Sequence, residues 1–446
     1  MEKISSQIGP KDKLCVKIER FIKKEEEGNY FLIPFQVPEG VELVEISYDY
    51  PRFITENEEA GCRAVREINI IDLGLNGPEG NYIGASGSDK SNIYISAGKS
   101  TLGFSPTRTK AGEWSIIAGA YKVQPGGVLV TYDITFKRKE LRLLKGDTHI
   151  HTLASDGSLS VREAAWLGKK LGLDYIFITD HNNYFQDFQE SDEEGITVLP
   201  GMEWTHYKGH AGLLGVKNPF GSAFCVNTLK EAREKLVEAQ SNGALLVLDH
   251  PFCPYCGWKW GMEHFKYDAV EVWNGGISIA SNEKCLEWWH EQLLQGRKIP
   301  IVGGSDFHSP DALRLIGMPC TCLYSMSRDP EDILYAIRHG NGYISLSAKG
   351  PDLYARAGEK ILGETAGQGS RISICFYNLK KEDKCSLITD LGTEELICRE
   401  AMSEMSLTRS TDNIRFFRFE ITRKPAPDLP EMKVMLSNPI YFEKKE

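Results

Sequence analysis

Two histidines in LLKGDTHIHT, His149 and His151, are two residues apart on an extended segment, so both imidazoles face one side. Asp306 and His308 in GGSDFHSP repeat that spacing. His181 follows YIFIT in TDHNN, His250 follows ALLVL in LDHP, and Glu203 follows ITVLPGM. Asp156, in the turn ASDG, lies just beyond the first pair. Gathered without compensation, this many imidazoles and carboxylates would carry large desolvation and repulsion costs. Divalent cations remove both, taking lone pairs from neutral imidazole and negative charge from carboxylate. Nitrogen and oxygen donors, with no thiolate required, suit Zn²⁺, Mn²⁺ or Fe²⁺. A carboxylate such as Glu203 can bridge two ions about 3.5–4 Å apart, the separation of two-metal hydrolase sites. A lone strand-end histidine is more often a cap or core residue. Two same-face pairs, two further histidines and two acids in one segment are hard to obtain as independent accidents, and the set reads as metal-binding.

The elements that must position these groups surround them in the sequence. All ten histidines lie between residues 149 and 339. After Lys145, short apolar runs predict strands at Tyr175–Thr179, Ile196–Leu199, Ala211–Val216, Ala244–Leu248, Ala269–Trp273, Ile299–Gly303 and Tyr343–Leu346. Helical spacing predicts helices at Leu159–Leu171, Thr228–Ser241, Ser281–Gln295 and Pro330–His339. Strands alternating with helices imply an α/β fold with a mostly parallel sheet, as an open layer or a barrel. Strand carboxyl ends in such folds converge on one rim, where ligands bind. The stretch before this segment holds no histidine and reads as a β-sandwich of short Ile-, Val-, Tyr- and Thr-rich strands between Gly/Pro/Asn/Ser turns. From about residue 350 the chain turns β-rich again. The division is 1–142 as accessory domain, 143–348 as catalytic domain and 349–446 as a C-terminal β-rich segment. The last is expected to pack with the first, since chain ends are often close.

In order, H-x-H, S-D-G, T-D-H-N, G-x-E, a lone H, D-H-P and G-S-D-x-H resemble the PHP (polymerase and histidinol phosphatase) superfamily across residues 143–347. The spellings GMEWT, VEVWNG and GSDFH are similar to its carbaryl-hydrolase-like branch, whose members often carry an extra β-domain before the catalytic one. The resemblance implies a distorted seven-stranded βα barrel with two or three divalent metal ions. By motif, His149, His151, Glu203 and Asp306 would hold the first ion, and Glu203 would bridge to a second completed by His210 and His250. Asp156, His181 and His308 would hold the third. His210, in KGHAGLLG, fits the family context better than His206, which is left to line the pocket. The implied chemistry is hydrolysis. A metal-bridging hydroxide attacks phosphorus in line, or an ester or carbamate carbonyl. The general acid is either an unmetallated histidine such as His206 or a metal-bound water.

Other residues near the strand ends have two readings each. Asn182, Asn183, Trp273 and Asn274 could contact substrate or support the ligands and turns. Arg314, in PDALRLIG, could clamp a phosphate or be a surface residue. Cys253 and Cys256 form C-P-Y-C just after His250, and no second C-x-x-C completes a four-thiolate zinc site. That segment, PFCPYCGWKWGM, reads instead as an aromatic loop over the site mouth, with Trp258 and Trp260 shaping the pocket.

Composition bounds the remaining options. The 446 residues are 41% hydrophobic and 26% charged, ordinary for a globular chain. Fifty-two basic against 62 acidic residues give a net charge of −10, which disfavours broad nucleic-acid binding. No run of eighteen apolar residues suggests a membrane span, and the start MEKISSQIGPKDKLCVKIER lacks a secretory core. Eleven scattered cysteines then read as reduced thiols of a cytoplasmic protein. No G-x-S-x-G, Walker or G-x-G-x-x-G motif is present, which argues against serine hydrolase, nucleotide-loop and dinucleotide classes. The expectation is a metal-dependent phosphoesterase acting on a small-molecule ester. Carboxyl-ester or carbamate hydrolysis, and metal-holding ligand binding without turnover, are the alternatives.

Overall fold

The computed structural model describes residues 3–8, 13–57, 63–186, 195–275, 280–310, 314–426 and 428–444. The chain divides into two compact units, Met1–Glu140 and Leu141–Glu446.

In the first unit, period-two patterning builds two antiparallel sheets. Tyr30–Val37 and Val128–Arg138 alternate outward and inward residues along their lengths. One sheet orders Lys3–Ile8, Lys13–Ile22, Val128–Arg138, Val41–Asp49 and Asn92–Ser96. The other orders Tyr30–Val37, Gly112–Lys122, Ile70–Asn76 and Tyr82–Ala85. Inward residues of both sheets, among them Ile33, Phe35, Ile46, Trp114 and Phe136, form one core.

The second unit is strand-rich, and four α-helices lie among its described residues. Strands Arg142–Asp147, Tyr175–Ile178 and Thr197–His206 pair in parallel. Leu245–Asp249, Ala269–Asn274 and Ile301–Gly304 form a second parallel set. Gly209–Leu214 joins the two sets, antiparallel to both neighbours. The sheet is therefore mixed where a mostly parallel one was expected. The reason is local: only Tyr207 and Lys208 separate Thr197–His206 from Gly209–Leu214, and a two-residue turn can return the chain only antiparallel. Past the first and last of these strands, Arg142–Asp147 and Ile301–Gly304, the chain is joined by the parallel bridge Ile150 to Phe307, with His151 N–H donating to Phe307 O and Asp306 N–H to His149 O.

Helices Val161–Leu171 and Leu229–Ser241 start at capping boxes, Ser160 with Glu163 and Thr228 with Glu231. Val161–Leu171 ends at Gly172 in the left-handed conformation. The C-terminal strands are hydrogen-bonded into the same sheet. Gly342–Ser345 pairs with Met432–Ser437, which pairs with Phe416–Arg423. The segment from 349 onward thus belongs to the second unit. No helix among the described residues is long and apolar enough to cross a membrane.

Candidate metal centre

Parallel register sets the carboxyl ends of the strands side by side. Gly146 and Asp147 pair with Tyr175 and Ile176, and Tyr175–Ile178 pairs with 197–200. The residues that follow, His149, His151, His181 and Glu203, are thereby neighbours. His250, Glu271, Asp306 and His308 arrive from the second parallel set in the same way. Asn182, His250 and Asp306 each adopt positive φ, at 49°, 29° and 50°. Such left-handed conformations cost energy in residues other than glycine, and here they turn the chain just past the strands.

Glu203 is fully buried at the centre. Its Oε1 lies 2.7 Å from His210 Nδ1, 3.2 Å from His250 Nε2 and 3.6 Å from His149 Nε2. Its Oε2 lies 3.5 Å from His151 Nε2. Oε2 is also 2.7 Å from His181 Nδ1, but that nitrogen is aligned on Thr205 Oγ1 at 2.6 Å. Asp306 Oδ1 sits 3.2 Å from His151 Nε2 and 3.5 Å from His149 Nε2. Asp156, half exposed, is 3.4 Å from His308 Nε2 and 3.6 Å from His181 Nε2. The nine ligands expected from sequence are thus brought together, buried on the Glu203 side and open on the Asp156 side. Their donor atoms fall into groups within reach of one cation, including His149–His151–Glu203 and His151–Asp156–His181–His308.

Hydrogen bonding leaves a gap at this place. His149 Nε2, both ring nitrogens of His151 and Glu203 Oε2 are buried without a hydrogen-bond partner. Unmatched buried polar atoms are costly, and these are donor types that a divalent cation would satisfy.

The electrostatics agree. Burial pushes the Glu203 carboxyl up, but the charge of His149 and imidazole hydrogen bonds overcome it and hold it well below the usual range. Asp306 is likewise lowered against burial, by His149 and His151. Burial depresses His149, yet Glu271, Asp306 and Glu203 carry it well above the usual imidazole range. His250 is raised against burial through Cys256 and Glu203. His151 is held low, chiefly by burial. A proton and a cation would therefore compete for the same lone pairs on His149 and His250.

A shell of hydrogen bonds orients the ligands. Glu271 is 2% exposed. Its Oε1 lies 3.1 Å from His149 Nδ1, and its Oε2 accepts from the His250 backbone N–H and from Asn274 Nδ2. Gly304 makes this approach possible, since a Cβ there would lie 2.5 Å from His149 Cβ and 2.7 Å from Glu271 Oε1. Asp147 accepts from Ser305, Gly317 and the His149 N–H, and burial raises its carboxyl to about 6. Asp180 accepts from Thr152 and Ser155, fixing the turn that carries Asp156. None of Glu271, Asp147 and Asp180 was singled out from sequence. The available signal was a carboxylate inside an apolar strand, as in AVEVWN, where burial demands a partner.

The remaining expected site residues are placed differently. Along Thr197–His206, Glu203 and Thr205 face the cluster, so His206 falls on the opposite face. Its ring lies against Trp204 and Trp260, at centroid separations of 5.7 and 4.8 Å, and its Nδ1 accepts from Lys208 N–H. Both amide atoms of Asn182 bond the Thr205 backbone. Asn183 donates to Ala154 O and accepts from Phe185 N–H. Trp273 is buried and donates to Gly275 O, and Asn274 holds Glu271. The four thus support ligands and turns through protein contacts. Arg314 is exposed, just after residues 311–313, which lie outside the described set. Cys256 Sγ reaches His250 Nδ1 at 3.6 Å.

No protein-family model matches the chain. Among curated proteins, the DNA polymerase/3'-5' exonuclease PolX of Bacillus subtilis (strain 168) is 40% identical over 63 residues, 14% of this chain. The match spans 11% of the length of that protein. Among solved structures, one similar chain is a two-domain protein containing a predicted PHP-like metal-dependent phosphoesterase from Bacteroides vulgatus ATCC 8482. It has 16% identity and a TM-score of 0.38, over 66% of this chain and 96% of that one. Another is a candidate metal-dependent phosphoesterase from Bifidobacterium adolescentis, at 17% identity and a TM-score of 0.30, over 38% of this chain and 90% of that one.

Proposed function

We propose that this chain is a metal-dependent hydrolase of the PHP type, acting on small-molecule phosphoesters. The observation that carries the reading is the set of buried, unpartnered donor atoms on His149, His151 and Glu203 where the strand ends converge. These residues fit divalent cations. His149, His151, Glu203 and Asp306 would hold one ion, Glu203, His210 and His250 a second, and Asp156, His181 and His308 a third. Zn²⁺, Mn²⁺ and Fe²⁺ suit the donor types. When bound, such ions lower the pKa of water and offset negative charge developing on the ester.

The chain's own residues prepare the site. Glu271 holds His149 through Nδ1, which leaves Nε2 facing Glu203 and Asp306. Thr205 holds His181 through Nδ1, which leaves Nε2 facing Asp156. Arg314, six residues after His308, is assigned to the anionic group of the substrate. His206 is not assigned the proton donor, because it lies on the face of its strand opposite Glu203 and Thr205. The reading includes the seven-stranded barrel with its accessory β-sandwich, the carbaryl-hydrolase-like branch and a cytoplasmic location.

Turnover of Zn²⁺- and Mn²⁺-reconstituted protein on nitrophenyl phosphomonoester, phosphodiester, carboxyl ester and carbamate tests the proposal. Phosphoester cleavage that is lost with a chelator and in His181→Ala is the expected result. Cleavage of the carbonyl substrates alone would replace the phosphoesterase reading by an esterase one. Silence on all four by protein shown to hold metal would point to ligand binding without turnover.

A further inference from the structure

The C-P-Y-C segment is joined to the centre by more than sequence proximity. Cys253 N–H donates to His250 O, Gly257 N–H to Cys253 O, and Trp258 N–H to Pro251 O, so the loop is wound back onto the end of Leu245–Asp249. Gly257 permits the winding: a Cβ there would lie 2.4 Å from Cys253 O and 2.7 Å from Pro251 O. The winding brings Cys256 Sγ to 2.9 Å from Cys253 Sγ and to 3.6 Å from His250 Nδ1. On its other side, His250 Nε2 faces Glu203 Oε1 at 3.2 Å. Both cysteines are free and partly exposed. Cys256 is therefore both half of a dithiol and the partner that fixes the ring of a ligand histidine.

We propose that Cys253 and Cys256 form a reversible dithiol switch whose oxidation weakens cation binding at His250. The effect rests on the metal-centre reading; the thiol chemistry stands on the loop geometry. The oxidant is a small-molecule disulfide such as oxidised glutathione. One cysteine thiolate attacks a sulfur of that disulfide, forming a mixed disulfide and releasing one glutathione thiolate. The second cysteine thiolate attacks the protein sulfur of the mixed disulfide, so the Cys253–Cys256 bond forms and the second glutathione thiolate leaves. The two cysteines lose two electrons and two protons, which end on the two released thiols. The sulfurs already lie close, so closing the bond needs only a small loop movement. The bonded Cys256 sulfur is a poorer and displaced acceptor for His250 Nδ1–H. Loss of such an orienting partner typically weakens metal affinity about 10–100-fold.

The experiment uses the full chain in glutathione redox buffers, with peptide mass mapping of disulfides and Zn²⁺ titration against a chromophoric chelator. The expected result is a mapped Cys253–Cys256 disulfide, with Cys320 and Cys322, buried and 3.6 Å apart, still reduced. Zn²⁺ affinity falls at least about tenfold on oxidation and returns with dithiothreitol. Cys253→Ser keeps the reduced affinity and loses its sensitivity to oxidant. Cys256→Ser has weakened affinity already when reduced. Failure to map the disulfide under oxidising buffer overturns the switch, and so does a mapped disulfide with unchanged Zn²⁺ affinity. If reduced wild-type protein binds no Zn²⁺, the metal-centre reading fails and the coupling fails with it; the mapped disulfide would still decide the thiol chemistry.

Discussion

The two units of this chain bury different things. The core of Met1–Glu140 is mainly apolar, with Ile46, Trp114, Ile134 and Phe136 fully inside. The unit Leu141–Glu446 buries apolar residues too, but also His149, His151, Glu203, Glu271, Asp147, Asp180 and Asp249. Away from the strand ends, buried charges such as Asp383 and Glu420 are matched, by two hydrogen bonds from Arg423 and by Arg418 respectively. At the strand ends they are not: acids and imidazoles crowd together and several donor atoms stay unpartnered. An apolar core is stabilised by the solvent it excludes. A crowded polar centre calls for a further partner, and the donor types here are those that could hold a cation.

Removing a ligand should break that contrast most severely. Asp306→Ala or His181→Ala is expected to lower bound metal and cut hydrolysis by about 10³-fold or more, with far-UV circular dichroism unchanged. Wild-type turnover with full metal content in either variant would sink the ligand assignment. Acid should come next. The surrounding carboxylates hold His149 and His250 above the usual imidazole range, so protons compete with a cation for them as the pH falls. Apparent Zn²⁺ affinity should fall about tenfold per pH unit for each proton displaced, once the pH drops below the raised range of these imidazoles. The sign reverses for metal-free protein. Raised imidazoles stabilise the fold fully below the unfolded value of about 6.5, and that contribution is lost as pH rises through the folded value. The gain in melting temperature on adding Zn²⁺ should therefore grow with pH, and a gain that shrinks would contradict it.

Glu271→Gln tests the orienting shell. Zn²⁺ affinity should drop about 10–100-fold while stoichiometry at saturation is kept. Arg314→Ala is expected to raise KM for a phosphoester about tenfold with little change in kcat, the scale of one charge-assisted hydrogen bond. An unaltered KM would remove Arg314 from the substrate site. The smallest effect on the centre belongs to the first unit. Trp114→Ala should cost about 3–5 kcal/mol of stability there and leave Zn²⁺ stoichiometry unchanged. Loss of metal in that variant would show that the two units do not behave independently.

Much was legible in the sequence because it is encoded locally. Ile-, Val-, Tyr- and Thr-rich runs between turn residues marked the β-rich first stretch, helical spacing marked Leu159–Leu171 and Thr228–Ser241, and apolar runs marked the strands that carry the ligands. Several of the expected ligand positions were readable because they follow an apolar strand run, whereas the full set of nine came from the motif resemblance, and Glu203 and His210 lie inside strands Thr197–His206 and Gly209–Leu214. The opposite face of His206 was latent in strand periodicity: it lies three residues after Glu203, an odd step along a strand. Tertiary structure decided the rest. The mixed order depends on which strands hydrogen-bond, and the C-terminal strands joined a sheet far from them in sequence. Glu271 on His149 spans 122 residues, and the grip of Asp147 on Gly317 spans 170. Such contacts leave no local signature, because a carboxylate's partner is set by distance and burial in the folded chain, whereas periodicity records only which face of its own strand a residue occupies.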